Sequence, residues 1–172
     1  MLGTHVVITL RTVAPHDSAL IYSFLTIAAR MDESGEPVQK ALSDPALIKY
    51  WKNWGLPTDL GIVAESAELN YPVGCAWLRL FTGEEPGHGH VSDDIPELAF
   101  GVIKSLRNQG IGTLLLERLI ADCRTQYPGI SLSVRQDNLA VRIYERAGFR
   151  QHGDVFTNRV GTSSMTMLLR FS

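Results

Sequence analysis

Arg107-Asn108-Gln109-Gly110-Ile111-Gly112-Thr113 stands between an apolar, strand-like run at residues 98–103 and a helix-like run at residues 114–124. Strand, glycine-bearing turn and helix, in that order, point main-chain N–H groups at an anion. Gly110 and Gly112 carry no Cβ, so a phosphate has room to approach the backbone. Arg107 adds a permanent cation whose planar fork suits phosphate. The alternative is a tight strand-to-helix turn whose glycines solve only a backbone problem. The stretch is not a Walker P-loop, because no Gly-Lys-Ser/Thr follows. Two glycines at this spacing do not make a dinucleotide fingerprint either.

Working outward, residues 130–135 read as a strand, and Asn138 can cap a helix that runs through Arg146 to a terminal Gly148. Residues 149–157 and 165–171 read as closing strands. Upstream, residues 6–11 form a strand, and Asp17 or Ser18 can cap a helix over residues 19–30, where Leu20, Ile21, Phe24, Leu25 and Ile27 recur at helical spacing. A second helical region is broken near Asp44-Pro45, and its later half, residues 46–54, is amphipathic and aromatic. Residues 61–66 and 73–81 form paired strands. Residues 82–96 are a polar, glycine-rich loop, and residues 97–103 lead into the opening stretch. This order predicts an α/β domain with a mostly antiparallel sheet and one parallel pair around the central helix.

The bulk numbers narrow the classes. The 172 residues suit one domain, and 45% hydrophobic residues suffice for a core. A net charge of −2 excludes a nucleic-acid binder built on bulk positive charge. No apolar run reaches membrane-spanning length. The first residues lack the charged start and cleavage site of a secretory leader. Cys75 and Cys123 lie far apart in apolar settings and read as buried thiols of a reducing cytoplasm.

Two signatures together resemble the GNAT acyltransferase superfamily. Arg-x-x-Gly-x-Gly at residues 107–112 is similar to its acyl-CoA pyrophosphate loop. Asn138-Leu-Ala140, followed by Tyr144 four residues before Gly148-Phe149, is similar to its downstream motif. The resemblance is strong over residues 97–149 and weak over residues 31–61, where this family varies with its acceptor. It implies one N-acetyltransferase domain over residues 1–172. The implied fold is a mixed, mostly antiparallel sheet of about seven strands, flanked by about four helices, with a splayed central parallel pair.

The resemblance also implies the chemistry. Acetyl-CoA would lie between the strand ending near Ile103 and the strand at residues 130–135. Main-chain groups of Val102 and Ile103 would bond the pantetheine. Its pyrophosphate would rest on the loop formed by Arg107, Asn108, Gln109, Gly110, Ile111, Gly112 and Thr113. Asn138 would touch the cofactor or hold an ordered water. A lysine-type amine has a pKa of about 10.4, so attack on the thioester at neutral pH needs a base. Glu97 matches the family's usual glutamate and is the expected base; the alternative is an exposed strand-end carboxylate. Tyr144 is the expected acid for the departing thiolate; the alternative is an aromatic that packs the helix onto the sheet. A strand N–H near Val102 would stabilise the oxyanion.

Other features point less far. His88-Gly-His90 has no third ligand and reads as a mobile loop rather than a metal centre. Arg135, Arg142, Arg146 and Arg150 read as a solvated helix face, or as contacts to cofactor phosphates. Tyr50, Trp51 and Trp54 line the core or a groove. Ser163-Ser164 has no hydrolase-like partners. The expected protein is a cytoplasmic enzyme transferring an acetyl group directly to a primary amine of a small molecule or peptide, with no metal, nucleic-acid or membrane partner. The alternative is a non-catalytic acyl-CoA-binding module on the same fold. A homodimer through the final strands is implied by the resemblance alone.

Overall fold

The computed structural model describes residues 6–172; residues 1–5, on which the leader-peptide reading partly rests, and the Asp32 side chain lie outside the described residues. Seven strands form the sheet: β1 (Ile8–Thr12), β2 (Leu60–Ser66), β3 (Tyr71–Arg79), β4 (Glu97–Val102), β5 (Gly129–Arg135), β6 (Arg150–Thr157) and β7 (Ser163–Arg170). The helices are α1 (Ser18–Ala28), α2 (Met31–Ser34), α3 (Pro45–Ile48), α4 (Ile111–Cys123) and α5 (Val141–Ala147). The sheet order is β1-β2-β3-β4-β5-β7-β6, and among the described residues only β4 and β5 are parallel neighbours.

Strand alternation divides the core between the two faces. Ile62, Ala64, Ala76 and Leu78 face α4, which buries Leu115, Leu116 and Leu119 against them. Val63, Cys75 and Trp77 face the opposite layer, where Ile21, Phe24 and Leu25 of α1 meet Leu47 and Trp54. Both cysteines are buried, as expected of apolar thiols.

Two elements differ from the sequence expectation. Asp17 precedes α1, but its carboxylate turns back to the Ala14 N–H (2.7 Å) and to Arg11 (2.9 Å) instead of capping the helix. The aromatic helix expected over residues 46–54 stops after one turn. Buried Arg79 explains this: its guanidinium takes the carbonyls of Lys49 (3.0 Å), Lys52 (2.6 Å) and Asn53 (3.3 Å). Those carbonyls are thereby turned toward a cation, and Asn53 adopts a left-handed conformation at φ 55°. Asp59 completes the neutralisation of Arg79 at 3.0 Å.

The functional consequence of the topology is a fork. β4 and β5 pair at Glu97 and Ser131, with a further bond from the Ser131 N–H to the Pro96 carbonyl, and no register beyond that pair joins them among the described residues. Each strand then runs on alone along this edge, β4 to Val102 and β5 to Arg135.

Candidate active site

The fork opens a cleft of about 890 Å³. Its walls are β4, the end of α1, the turn before α4, the start of α5 and the tip of the β6–β7 hairpin. Along β4 the ladder decides which backbone groups face it. The Ile103 N–H donates to the Val73 carbonyl (2.9 Å), and the Ile103 carbonyl accepts the Leu106 N–H (3.0 Å). Gly74 and Val102 are opposed partners, so alternation turns Val102 and Phe100 away from β3 and toward β5. Both main-chain groups of Ile103, expected to bond the pantetheine, thus already have a partner within the protein. Val102 keeps an N–H toward the cleft.

At the wide end of the fork, α4 begins without a side-chain cap. The first intrahelical bond is from the Leu114 N–H to the Gly110 carbonyl (3.1 Å). The N–H groups of Ile111, Gly112 and Thr113 precede it, at the positive end of a 13-residue helix. Asn108 (φ 62°) and Gly110 (φ 82°) are both left-handed and curl the chain into the helix. Of residues 107–113, all but Gln109 line the cleft.

Three of the expected residues at this end also meet neighbours within the protein. Gly112 leaves room for a neighbouring side chain: a Cβ there would stand 2.6 Å from Phe100 Cζ. Arg107 lines the cleft, but its guanidinium donates to the Val102 carbonyl (3.1 Å) and pairs with Glu33 (2.8 Å). It therefore ties α2 to the end of β4, where a forked phosphate contact was expected. Asn138 lines the cleft while its side-chain carbonyl accepts the Ala140 N–H (2.9 Å), which fixes the turn into α5. Of the clustered arginines, Arg135 pairs with Asp137 (2.8 Å) and Arg150 bonds the Glu145 carbonyl. Arg142 and Arg146 line the cleft.

Tyr144 lies on α5, buried between Phe100 and Phe149 in edge-to-face contacts at 6.0 and 5.8 Å. The packing aromatic and the cleft phenol are thus the same residue, and its hydroxyl has no hydrogen-bond partner among the described residues. Burial pushes its pKa well above the usual phenol range.

Glu97 sits at the apex of the fork and is 3% exposed, so it is not an exposed strand end. Its Oε1 accepts the Tyr50 hydroxyl (2.6 Å) and the Gly89 N–H (2.9 Å). Its Oε2 is buried without a hydrogen-bond partner among the described residues. Burial raises its pKa to about 7, against the lowering effect of Tyr50, Gly89, His90 and Lys49.

Tyr50 and His88 are the site residues that sequence reading missed. The Tyr50 hydroxyl meets His88 Nδ1 at 2.9 Å and accepts the His88 main-chain N–H at 2.8 Å. Tyr50 and Glu97 are 47 residues apart, so no local spacing could reveal the contact. The glycines of the loop were the available signal. A Cβ at Gly87 would fall 1.9 Å from Glu97 Oε2, and one at Gly89 would fall 2.4 Å from the Leu132 backbone. The loop expected to be mobile is instead packed over the carboxylate. No cluster of three metal-ligating side chains occurs among the described residues, and none of their helices is long and apolar enough to cross a membrane.

Comparison with known proteins bears on this geometry. The family model described as an acetyltransferase (GNAT) domain matches residues 86–171. Among solved structures, the chain is similar to a GNAT-family acetyltransferase from Streptococcus pneumoniae, at 19% identity and a TM-score of 0.64, covering 96% of this chain and 100% of that one. It is similar to a ribosomal-protein-alanine N-acetyltransferase from Brucella melitensis, at 19% identity and a TM-score of 0.68, covering 95% and 99%. It is also similar to an aminoglycoside acetyltransferase in complex with coenzyme A, at 22% identity and a TM-score of 0.57, covering 95% of each chain. At these identities the likeness concerns the fold. No curated protein matches the sequence.

Proposed function

The chain belongs to the GNAT acetyltransferase family, and from that premise we propose that it is an N-acetyltransferase, a single domain that moves an acetyl group from acetyl-CoA directly to a primary amine. The observation that carries the reading is Glu97: a buried carboxylate with a pKa near neutrality, set where two parallel strands part. A base of that pKa is matched to deprotonating an amine at neutral pH. The likeness to a coenzyme A complex supports acetyl-CoA as the donor.

Each part of the cleft then has a task. The N–H groups of Ile111, Gly112 and Thr113 receive the diphosphate, assisted by the turn at Asn108, Gln109 and Gly110. Arg142 and Arg146 lie where more distal phosphate would add charge. The open edge of β4 at Phe100 and Val102 offers N–H donors for the thioester oxygen as charge builds on it, and for the pantetheine amide. The amine nitrogen attacks the thioester carbon, and its proton passes to Glu97. The tetrahedral intermediate collapses, the C–S bond breaks, and Tyr144 gives its proton to the departing sulfur. Products are the amide and free coenzyme A. No cysteine takes part: burial holds the Cys75 thiol above its ordinary range and pushes Cys123 up to about 12.

The acceptor is a small-molecule or peptide amine, and the site is expected to work in the cytoplasm. The test is an amine panel read by coenzyme A release, with acetyl-CoA binding followed by thermal shift. Acetyl-CoA at a hundred times its Kd should stabilise the fold by about 2.7 kcal/mol. Absence of any shift in folded protein overturns the donor assignment. A shift without transfer to any amine identifies a binding module instead.

A further inference from the structure

Glu97, Tyr50 and His88 form a chain of contacts that the reaction outlined above does not use. Tyr50 is 6% exposed, held edge-on against Phe81 at 5.1 Å and stacked on His88 at 5.7 Å between ring centroids. Its hydroxyl oxygen is within hydrogen-bond distance of three groups: Glu97 Oε1, the His88 main-chain N–H and His88 Nδ1. The main-chain donors limit where the protons can go. The His88 main-chain N–H can only donate, so it fills one lone pair of the phenol oxygen. If His88 Nδ1 also carries a proton, the second lone pair is filled, and the phenol hydrogen has one acceptor left, Glu97 Oε1. Gly89 N–H fills the remaining site on that oxygen. Oε2, seated where a Cβ on Gly87 would fall, is then the carboxylate oxygen left without a hydrogen bond among the described residues.

We propose that Tyr50 and His88 are positioning residues for the base, with His88 Nδ1–H and main-chain N–H directing the phenol proton onto Oε1 so that Glu97 takes up the acceptor's proton at Oε2. The inference rests on Glu97 being the base. It explains why a polar pair is kept in an apolar layer: a charge-assisted bond from Tyr50 stabilises the carboxylate form against its burial. Without that bond, desolvation would carry the carboxyl further from neutrality and leave a smaller fraction ionised. His88 suits the role because burial, with Lys49 and Arg159 nearby, lowers its pKa and keeps the ring neutral. The other groups that bear on Glu97 are His90 and Lys49, which both favour its charged form, and neither lies between it and Tyr50.

The experiment compares wild type with Tyr50→Phe and His88→Ala. The kcat/KM profile of the wild type should rise through a midpoint near pH 7. Tyr50→Phe should move that midpoint up by about one unit, so that activity falls about fivefold at pH 7 and about tenfold below pH 6, and returns by pH 9. His88→Ala, on the half-buried loop, should move it in the same direction by less. A midpoint unchanged in both variants, or a loss equal at every pH, overturns the proposal and leaves only packing. The same shift is read without catalysis by following the Glu97 carboxyl in 13C-labelled protein. If no amine is acetylated but Tyr50→Phe still raises that titration, the positioning pair stands and the enzymatic reading fails. If transfer occurs and the Glu97 titration does not move, the positioning pair fails alone.

Discussion

Gly112 lies under the ring of Phe100, so that a single added Cβ would sit 2.6 Å from Phe100 Cζ. Gly110, two residues earlier, has no atom within 4 Å of the place its Cβ would take, but its φ is +82°. The two glycines of one motif are therefore required for different reasons, one by packing and one by backbone conformation.

Gly112→Ala should cost about 1–3 kcal/mol by overpacking and should weaken acetyl-CoA binding by tilting the start of α4. Gly110→Ala should cost about 1–2 kcal/mol from a left-handed alanine. Shortening the ring with Phe100→Leu should relieve the first penalty and leave the second untouched. Urea denaturation of the two double-mutant cycles measures this, and equal coupling in both would contradict the assignment.

Tyr144→Phe should leave stability nearly unchanged, because the hydroxyl gives up no protein hydrogen bond while its ring contacts with Phe100 and Phe149 remain. Turnover should fall about 100-fold, within the usual range for loss of a general acid, at constant acetyl-CoA Kd. Burial holds the Tyr144 pKa above its ordinary value of 10.0, so the phenol stays protonated throughout the neutral and mildly basic range. No alkaline limb assignable to Tyr144 should appear below pH 10. Unchanged turnover in the phenylalanine variant would remove Tyr144 from the reaction.

Arg159, at the tip of the β6–β7 hairpin, reaches across the cleft mouth to Glu36. Its two terminal nitrogens pair with the two carboxylate oxygens, one at 2.7 Å, and Asp44 stands 3.9 Å away. Arg159 holds the Glu36 carboxyl below its usual range, so the stability this pair adds is present above the ordinary carboxylate pKa and lost as pH falls through the depressed one. Arg159→Ala should cost about 1–2 kcal/mol at pH 7 and less at pH 3. It should raise the KM of the acceptor more than that of acetyl-CoA, since Arg159 lies near enough to His88 to lower its pKa and so stands on the Glu97 side of the cleft. Arg159→Lys, which cannot form the two-pronged pair, should recover only part of the loss. Equal effects on both KM values would argue against a clasp on the acceptor side.

How far the sequence reached depended on whether the relevant contacts were local. The order of strands and helices, the parallel β4–β5 pair and the left-handed Gly148 after α5 all follow from periodicity and turn residues, and all are present. The loop at residues 107–113 and Tyr144 were visible because each lies within a short motif. The engagement of Arg107 with Glu33, 74 residues away, was not visible. Neither was the curtailment of the aromatic helix by Arg79, whose carbonyl partners lie 26 to 30 residues before it. Tyr50 read only as an aromatic of an amphipathic stretch, and His88 as one of two loop histidines. Their meeting at Glu97 depends on how the segment before β2 and the loop before β4 fold over the same strand end, and no local periodicity encodes that.

Glu97 should leave a mark on stability as well as on rate. Burial raises its pKa from an ordinary 4.5 to about 7, so the folded state holds a proton that the unfolded chain releases earlier. The sign follows from linkage: the favourable contribution is fully present below pH 4.5 and is lost as pH rises through 7. A shift of this size corresponds to about 3 kcal/mol at 1.36 kcal/mol per unit. Glu97→Gln removes the titration while keeping an oxygen for Tyr50 and Gly89. The variant should therefore gain on the wild type between pH 4.5 and pH 8.5 by about that amount, although other groups alter both curves alike. Its turnover should fall at least about 100-fold over the same range. Urea unfolding of both proteins across that range decides the matter: a stability difference independent of pH would mean that the carboxylate at the fork titrates as it does in water, and a base tuned by burial would have to be abandoned.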